Sequence, residues 1–189
     1  MNNTTHSGAI AFPSSNIHTK LLATLLLVSF VFLFSVHARA AGRKDACTLI
    51  APADAQSAIG EPVGAPRAEN RSFGAGDGSS CKYRSTTGSA LKAKSVSLTA
   101  HYSQTDLTGS IDGIAQNLKA SGFKDVQKIA GIGSAAVWGA NSVLGRPQGE
   151  LTVIQGKSVM LVILIDGIPD EADALARAKS IAAKAIGKL

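Results

Sequence analysis

Val159-Met160-Leu161-Val162-Ile163-Leu164-Ile165 is a run of seven apolar residues with no polar break. Its length and its β-branched residues fit a strand, and a strand that is apolar on both faces belongs in the middle of a sheet with cover on both sides. A second apolar strand, Leu151-Thr152-Val153-Ile154, precedes it across Gln155-Gly156-Lys157-Ser158. Glycine at the first central position predicts a two-residue type II′ turn at Gly156-Lys157. The pair is therefore antiparallel, and the rest of the chain has to wrap it.

Other segments supply the wrapping. Lys94 to Tyr102 alternates, with Val96, Leu98, Ala100 and Tyr102 on one face and Ser95, Ser97, Thr99 and His101 on the other, as in a half-buried antiparallel strand. Cys81 to Arg84 and Ala135 to Trp138 read as short strands, and Val126 to Ile129 as a further short candidate. Pro52 opens a helix over Ala53 to Ile59 that Gly60 stops. A middle helix is predicted over Asp106 to Ser121, with Thr105 as N-cap and a stripe of Leu107, Ile111, Ile114 and Leu118. A last helix runs from Pro169 to about Ile186, with acids at its start and lysines toward its end that complement its dipole. Glu61 to Ser80 has two prolines, a glycine cluster and few large apolar residues, which predicts a surface loop. The expected class is α+β: an antiparallel sheet of about five strands packed by three helices, with one disulfide.

The N-terminus reads as an export signal. Lys20 precedes the uncharged apolar run Leu21–Val36, and Ala38-Arg39-Ala40 offers a small-x-small cut before Ala41. The alternative is a membrane anchor over 21–36. A helix of those 16 residues spans only about 24 Å, short of a ~30 Å hydrocarbon core. Cys47 follows Arg43-Lys44-Asp45-Ala46 and so lacks a lipobox. The expected organisation is a cleaved signal peptide at 1–40 and one α+β domain at 41–189, periplasmic or extracellular, without stable membrane insertion after cleavage. Cleavage removes Lys20, Arg39 and three of the four histidines. The net charge falls from +6 to +4, and His101 is the one histidine left in 149 residues. Basic residues do not cluster with aromatics, which argues against nucleic-acid binding. Cys47 and Cys81 permit one pairing, and export favours it. Their 34-residue separation makes the bridge worth roughly 4 kcal/mol in the chain-entropy view.

The order Cys47-Thr48-Leu49-Ile50, Ile59-Gly60, Cys81-Lys82-Tyr83 and Gly131-Ile132-Gly133-Ser134-Ala135-Ala136-Val137-Trp138 resembles a family of small exported bacterial proteins and lipoproteins of unknown function, with the pattern C-x-L-[LI] … LG … C-x-Y … GlGdxAxw. The resemblance covers most of the mature chain, and this chain departs from it in having no lipobox. It implies a disulfide-stapled α+β domain of the envelope or the exterior and brings no catalytic residues.

Motifs for chemistry are sparse. Gly131-x-Gly133-x-x-Ala136 fits a loose phosphate-loop template, but the residues after it favour a strand, and no acid lies about twenty positions on. The two glycines are expected to turn a corner into Ala135–Trp138. Gly156-Lys157-Ser158 mimics the end of a Walker A loop, but Leu151 occupies the position of its first glycine. His101 has no nucleophile elbow to serve. Asp166, Asp170, Glu171 and Asp173 read as helix-start charges, and Asp77 with its neighbours is too little for a metal. No catalytic, cofactor or metal residues are therefore assigned. The expected function is a non-enzymatic exported binding or accessory domain. Its partner would be an envelope protein, a lipid or a wall component. The surface would involve the Glu61–Ser80 and Asn141–Gln148 segments, with Arg146 and His101 as contact residues and Trp138 as either a contact or a core residue. Two alternatives stand beside it: a hydrolase-type enzyme using His101, and a structural or inhibitory protein that docks a partner in the cell envelope.

Overall fold

The apolar run lies at the centre of the sheet. In the computed structural model, residues 43–73, 76–90 and 92–189 are described, the side chains of 71–76 excepted. The signal peptide and the Ala40–Ala41 cut fall outside them. Lys44–Leu189 forms one unit. Its elements are α1 (Ala46–Leu49), α2 (Pro52–Ile59), β1 (Arg67–Phe73), β2 (Gly76–Arg84), β3 (Ser95–Ser103), α3 (Ile111–Ala120), β4 (Lys124–Ile129), β5 (Ala135–Val143), β6 (Arg146–Gln155), β7 (Val159–Asp166) and α4 (Glu171–Ile186). One antiparallel sheet has the order β1-β2-β3-β7-β6-β5-β4. It consists of two meanders, β1–β3 and β4–β7, joined where β3 pairs with β7.

Register puts Leu98 opposite Ile163, Ile163 opposite Leu151, and Leu151 opposite Trp138. These residues share one face with Val96, Ala100, Leu161, Ile165 and Val153, and all are buried. α4 covers that face with Ala174, Ala178, Ile181, Ala182 and Ala185, and α1 and α2 cover the β2–β3 side of it. On the opposite face, Val137, Thr152 and Ile154 are also buried. There α3 packs on β4 and β5, and Phe123 and Val126 lie over Gly139. Toward β3 the same face is only half-buried: Ser97, Thr99 and His101 alternate with the core residues, and Met160, Val162 and Leu164 of β7 lie beside them.

Polar contacts fix the helices. Asp45 caps α1 by accepting from the Cys47 amide at 2.8 Å. Asp54 of α2 accepts from the Ala51 amide at 2.9 Å and from Lys184 Nζ of α4 at 2.7 Å. The Lys184 bond is the main cause that holds the Asp54 carboxyl below its usual range. Arg177 of α4 donates to the Ala58 carbonyl at 2.8 Å. The disulfide joins Cys47 of α1 to Cys81 of β2, with a Cα–Cα distance of 5.0 Å.

Several expectations are corrected. The sheet has seven strands, not about five, and four helices are described, not three. The segment expected to be the Glu61–Ser80 loop contains β1 and the start of β2. β1 is an edge strand with no facing sheet to bury against, so its polar residues carry no apolar alternation. The other edge, β4, extends the short candidate Val126–Ile129 back to Lys124 and is likewise mostly exposed. The middle helix starts at Ile111 after a Ser110 cap. Upstream, the Asp106 carboxylate accepts from the Thr108 amide and the Leu107 amide donates to the Lys157 carbonyl, which binds that stretch to the β6–β7 turn. That turn has three residues, because Gln155 pairs with Val159; Gly156 takes the positive φ of 61°.

Candidate functional site

The end of the sheet where the β5–β6 hairpin projects carries two hollows that share Pro147 and Gln148. The larger, about 330 Å³, lies between β5–β6, the start of β4 and the start of α4. Trp138 forms its floor. The ring is fully buried, and its Nε1–H donates to Glu171 Oε1 at 3.0 Å. It lies against Gly149, where a Cβ would sit 2.1 Å from the ring edge, so only glycine admits the indole. Lys124, Asp125, Asn141 and Ser142 add polar groups to the lining, and Ile168, Pro169 and Ala174 add apolar ones. Asp125 holds a left-handed backbone at φ 48°, and the Asn141 Oδ1 is screened from solvent with no hydrogen-bond partner. Left-handed strain at a non-glycine residue costs about 1–3 kcal/mol, and Asp125 holds it at this cleft.

The smaller hollow, about 220 Å³, lies on the other side of the hairpin. Lys82, Arg84 and Arg146 enter it with one carboxylate, Asp166. Asp166 accepts from Ser95 Oγ at 2.6 Å and Gln148 Nε2 at 2.9 Å, with Lys82 Nζ 3.8 Å away. Arg84 donates to the Ala90 carbonyl at 2.8 Å and Arg146 to the Ala93 carbonyl at 2.6 Å. Above this hollow is the hairpin tip. Val143 pairs with Arg146, leaving Leu144-Gly145 as a two-residue loop with φ of 52° and 77°. Such loops favour Asn-Gly or Asp-Gly. A leucine there costs roughly 1–2 kcal/mol of backbone strain.

The expected contact residues do not form one site. Arg146 lies in the smaller hollow. Trp138 takes the core alternative: it is fully buried and forms the floor of the larger hollow. His101 is remote from both hollows, on β3, with Gly78 and Met160 as its cross-strand partners. Burial lowers its pKa. Glu150, on the same face of the sheet, has its pKa raised by burial, with Thr152 donating to it. Among the described residues no group of His, Cys, Asp and Glu has the geometry to hold a metal ion. The Gly131–Ala136 segment is a corner: the Ser134 amide donates to the Ile154 carbonyl at 2.7 Å, and a Cβ on Gly133 would strike Val153 and Ile154. Asn141 and Leu144 belong to the Asn141–Gln148 segment expected at the surface, which is the paired β5–β6 hairpin and not a loop. Sequence reasoning missed Glu171, read as a helix-start charge, and Asp125, and neither carries a local signal.

No protein-family model matches the chain, and no curated protein matches it. Among solved structures, the extracellular domain of PknH from Mycobacterium tuberculosis is similar, with a TM-score of 0.51 and 10% identity over 75% of this chain and 94% of that one. At that identity the likeness concerns the fold. The disulfide fits an exported protein. Among the described residues no helix is long and apolar enough to cross a membrane.

Proposed function

We propose that the chain is a periplasmic or secreted binding or accessory domain without enzymatic activity, and that it engages its partner with the β5–β6 end of the sheet. The observation that carries this reading is the gathering at that end of the Trp138-floored cleft, the cationic hollow and the exposed hairpin tip. Backbone strain and a concave, partly apolar lining are features that binding sites retain. Export is supported by the disulfide and by the signal-like leader of residues 1–40.

The test compares the purified protein with its His101→Ala variant on nitrophenyl ester and nitrophenyl phosphate substrates. Neither is expected to turn them over. Turnover by the parent that is lost in a variant of unchanged melting temperature overturns the reading. N-terminal sequencing of the exported form is expected to begin at Ala41; a form that retains residues 21–36 removes the signal-peptide part.

A further inference from the structure

Among the described residues the exposed large apolar side chains are Val143 (48%), Leu144 (99%) and the C-terminal Leu189 (37%). Two of the three are adjacent, at the tip of one hairpin. Leu144 is unfavourable there twice over, since water meets its whole side chain and its backbone is left-handed. Just below it, three cations face one carboxylate in the smaller hollow. From this juxtaposition we propose that the β5–β6 tip docks on an anionic lipid surface. Val143 and Leu144 enter the boundary between headgroups and acyl chains, and the Lys82–Arg84–Arg146 hollow faces lipid phosphates. This deepens, and rests on, the exported-binding reading.

Shape and charge favour a bilayer over a protein as the occupant. The tip is convex and offers two aliphatic side chains, far below the ~800 Å² per partner of a stable protein interface. A lipid interface accepts a small apolar protrusion, and basic residues beside it add attraction to anionic headgroups. The net charge left after cleavage, +4, has the same sign.

The test is flotation of the whole protein with vesicles of phosphatidylcholine alone and of phosphatidylcholine mixed with phosphatidylglycerol, alongside Leu144→Asn and the double variant Lys82→Gln/Arg84→Gln. The protein is expected to float with the anionic vesicles and to release them as salt rises. Leu144→Asn is expected to weaken binding roughly tenfold to a hundredfold, the range for withdrawing one leucine from an apolar phase. The double variant is expected to lose roughly fivefold per charge removed. Parent and variants share the same N-terminus, so the difference between them reports on the hairpin. Asn suits the left-handed position, so the Leu144→Asn fold is expected to survive, as circular dichroism can verify. Equal binding by Leu144→Asn overturns the proposal, as does failure of the parent to prefer anionic vesicles. Displacement by soluble glycerol phosphate at equal phosphate concentration also overturns it, because the hollow then binds free phosphate and not a surface. So does capture of a protein through Leu144 by a chain that ignores vesicles. None of these outcomes touches the exported-binding reading, which fails instead by His101-dependent turnover.

Discussion

The two meanders reach stability by different routes. In β4–β7 the strands β5 and β6 are buried on both faces, while β4 is an exposed edge and one face of β7 is half-buried: Trp138, Leu151 and Ile163 meet α4, and Val137, Thr152 and Ile154 are closed off on the side where α3 packs. β1–β3 is covered on one face only, and its outer strand is largely exposed over the described side chains Arg67–Asn70. What it lacks in burial it makes up in specific links. The Cys47–Cys81 bridge ties α1 to β2, the Ala46 amide donates to the buried Ser79 hydroxyl at 2.8 Å, and Glu61 accepts from Lys94 at 2.7 Å and Ser85 at 2.5 Å, and from Thr87. Non-directional burial tolerates many sequences; a staple and a hydrogen-bonded carboxylate depend on single residues.

The largest expected effect comes from breaking the staple. Cys47→Ser with Cys81→Ser should lower unfolding free energy by roughly 4 kcal/mol. Hydrogen exchange should show protection lost first in α1, β1 and β2. Uniform loss across β4–β7 as well would dissolve the distinction between the meanders. Next is Gly149→Ala in the second meander. A methyl placed 2.1 Å from the Trp138 ring should cost about 1–3 kcal/mol, as overpacked cores do. The emission of Trp138, the sole tryptophan, should shift to the red. An unchanged melting temperature would mean that this core is looser than its geometry implies.

A smaller effect belongs to the first meander. The Lys94 bond, then Ser85 and Thr87, depress Glu61 from 4.5 to about 2. A depressed carboxyl stabilises the fold above its unfolded pKa and loses that contribution as protons bind. Stability should therefore decline as pH falls from about 4.5 toward about 2, and Glu61→Gln should flatten that part of the denaturation-versus-pH curve. The smallest effect is a gain: Leu144→Asn should stabilise the protein by about 1 kcal/mol through relief of left-handed strain, read as a modest rise in melting temperature. A loss instead would show that Leu144 supports the fold.

Legibility in the sequence follows burial. Val159–Ile165 declared its central place, and the alternation of Val96, Leu98 and Ala100 declared a core-facing strand. The two edges, β1 and β4, were the strands least legible in the sequence, because a strand with one neighbour and a solvated face needs no apolar period. The cleft was concealed for another reason. Trp138, Asn141, Gly149 and Glu171 come from three elements, and nothing local marks their meeting.

By itself, the sequence determined the α+β class, the antiparallel central pair, the one available cysteine pairing and the charge-capped last helix. Each of these depends on residue type and short-range spacing. Only the tertiary structure decided that β3 joins two meanders through β7, that Trp138 faces inward onto Gly149, and that Leu144 stands fully in water above three basic side chains. Those outcomes depend on which distant strands pair, and in what register. A register is chosen by the sum of all buried contacts across the sheet, not by any one segment.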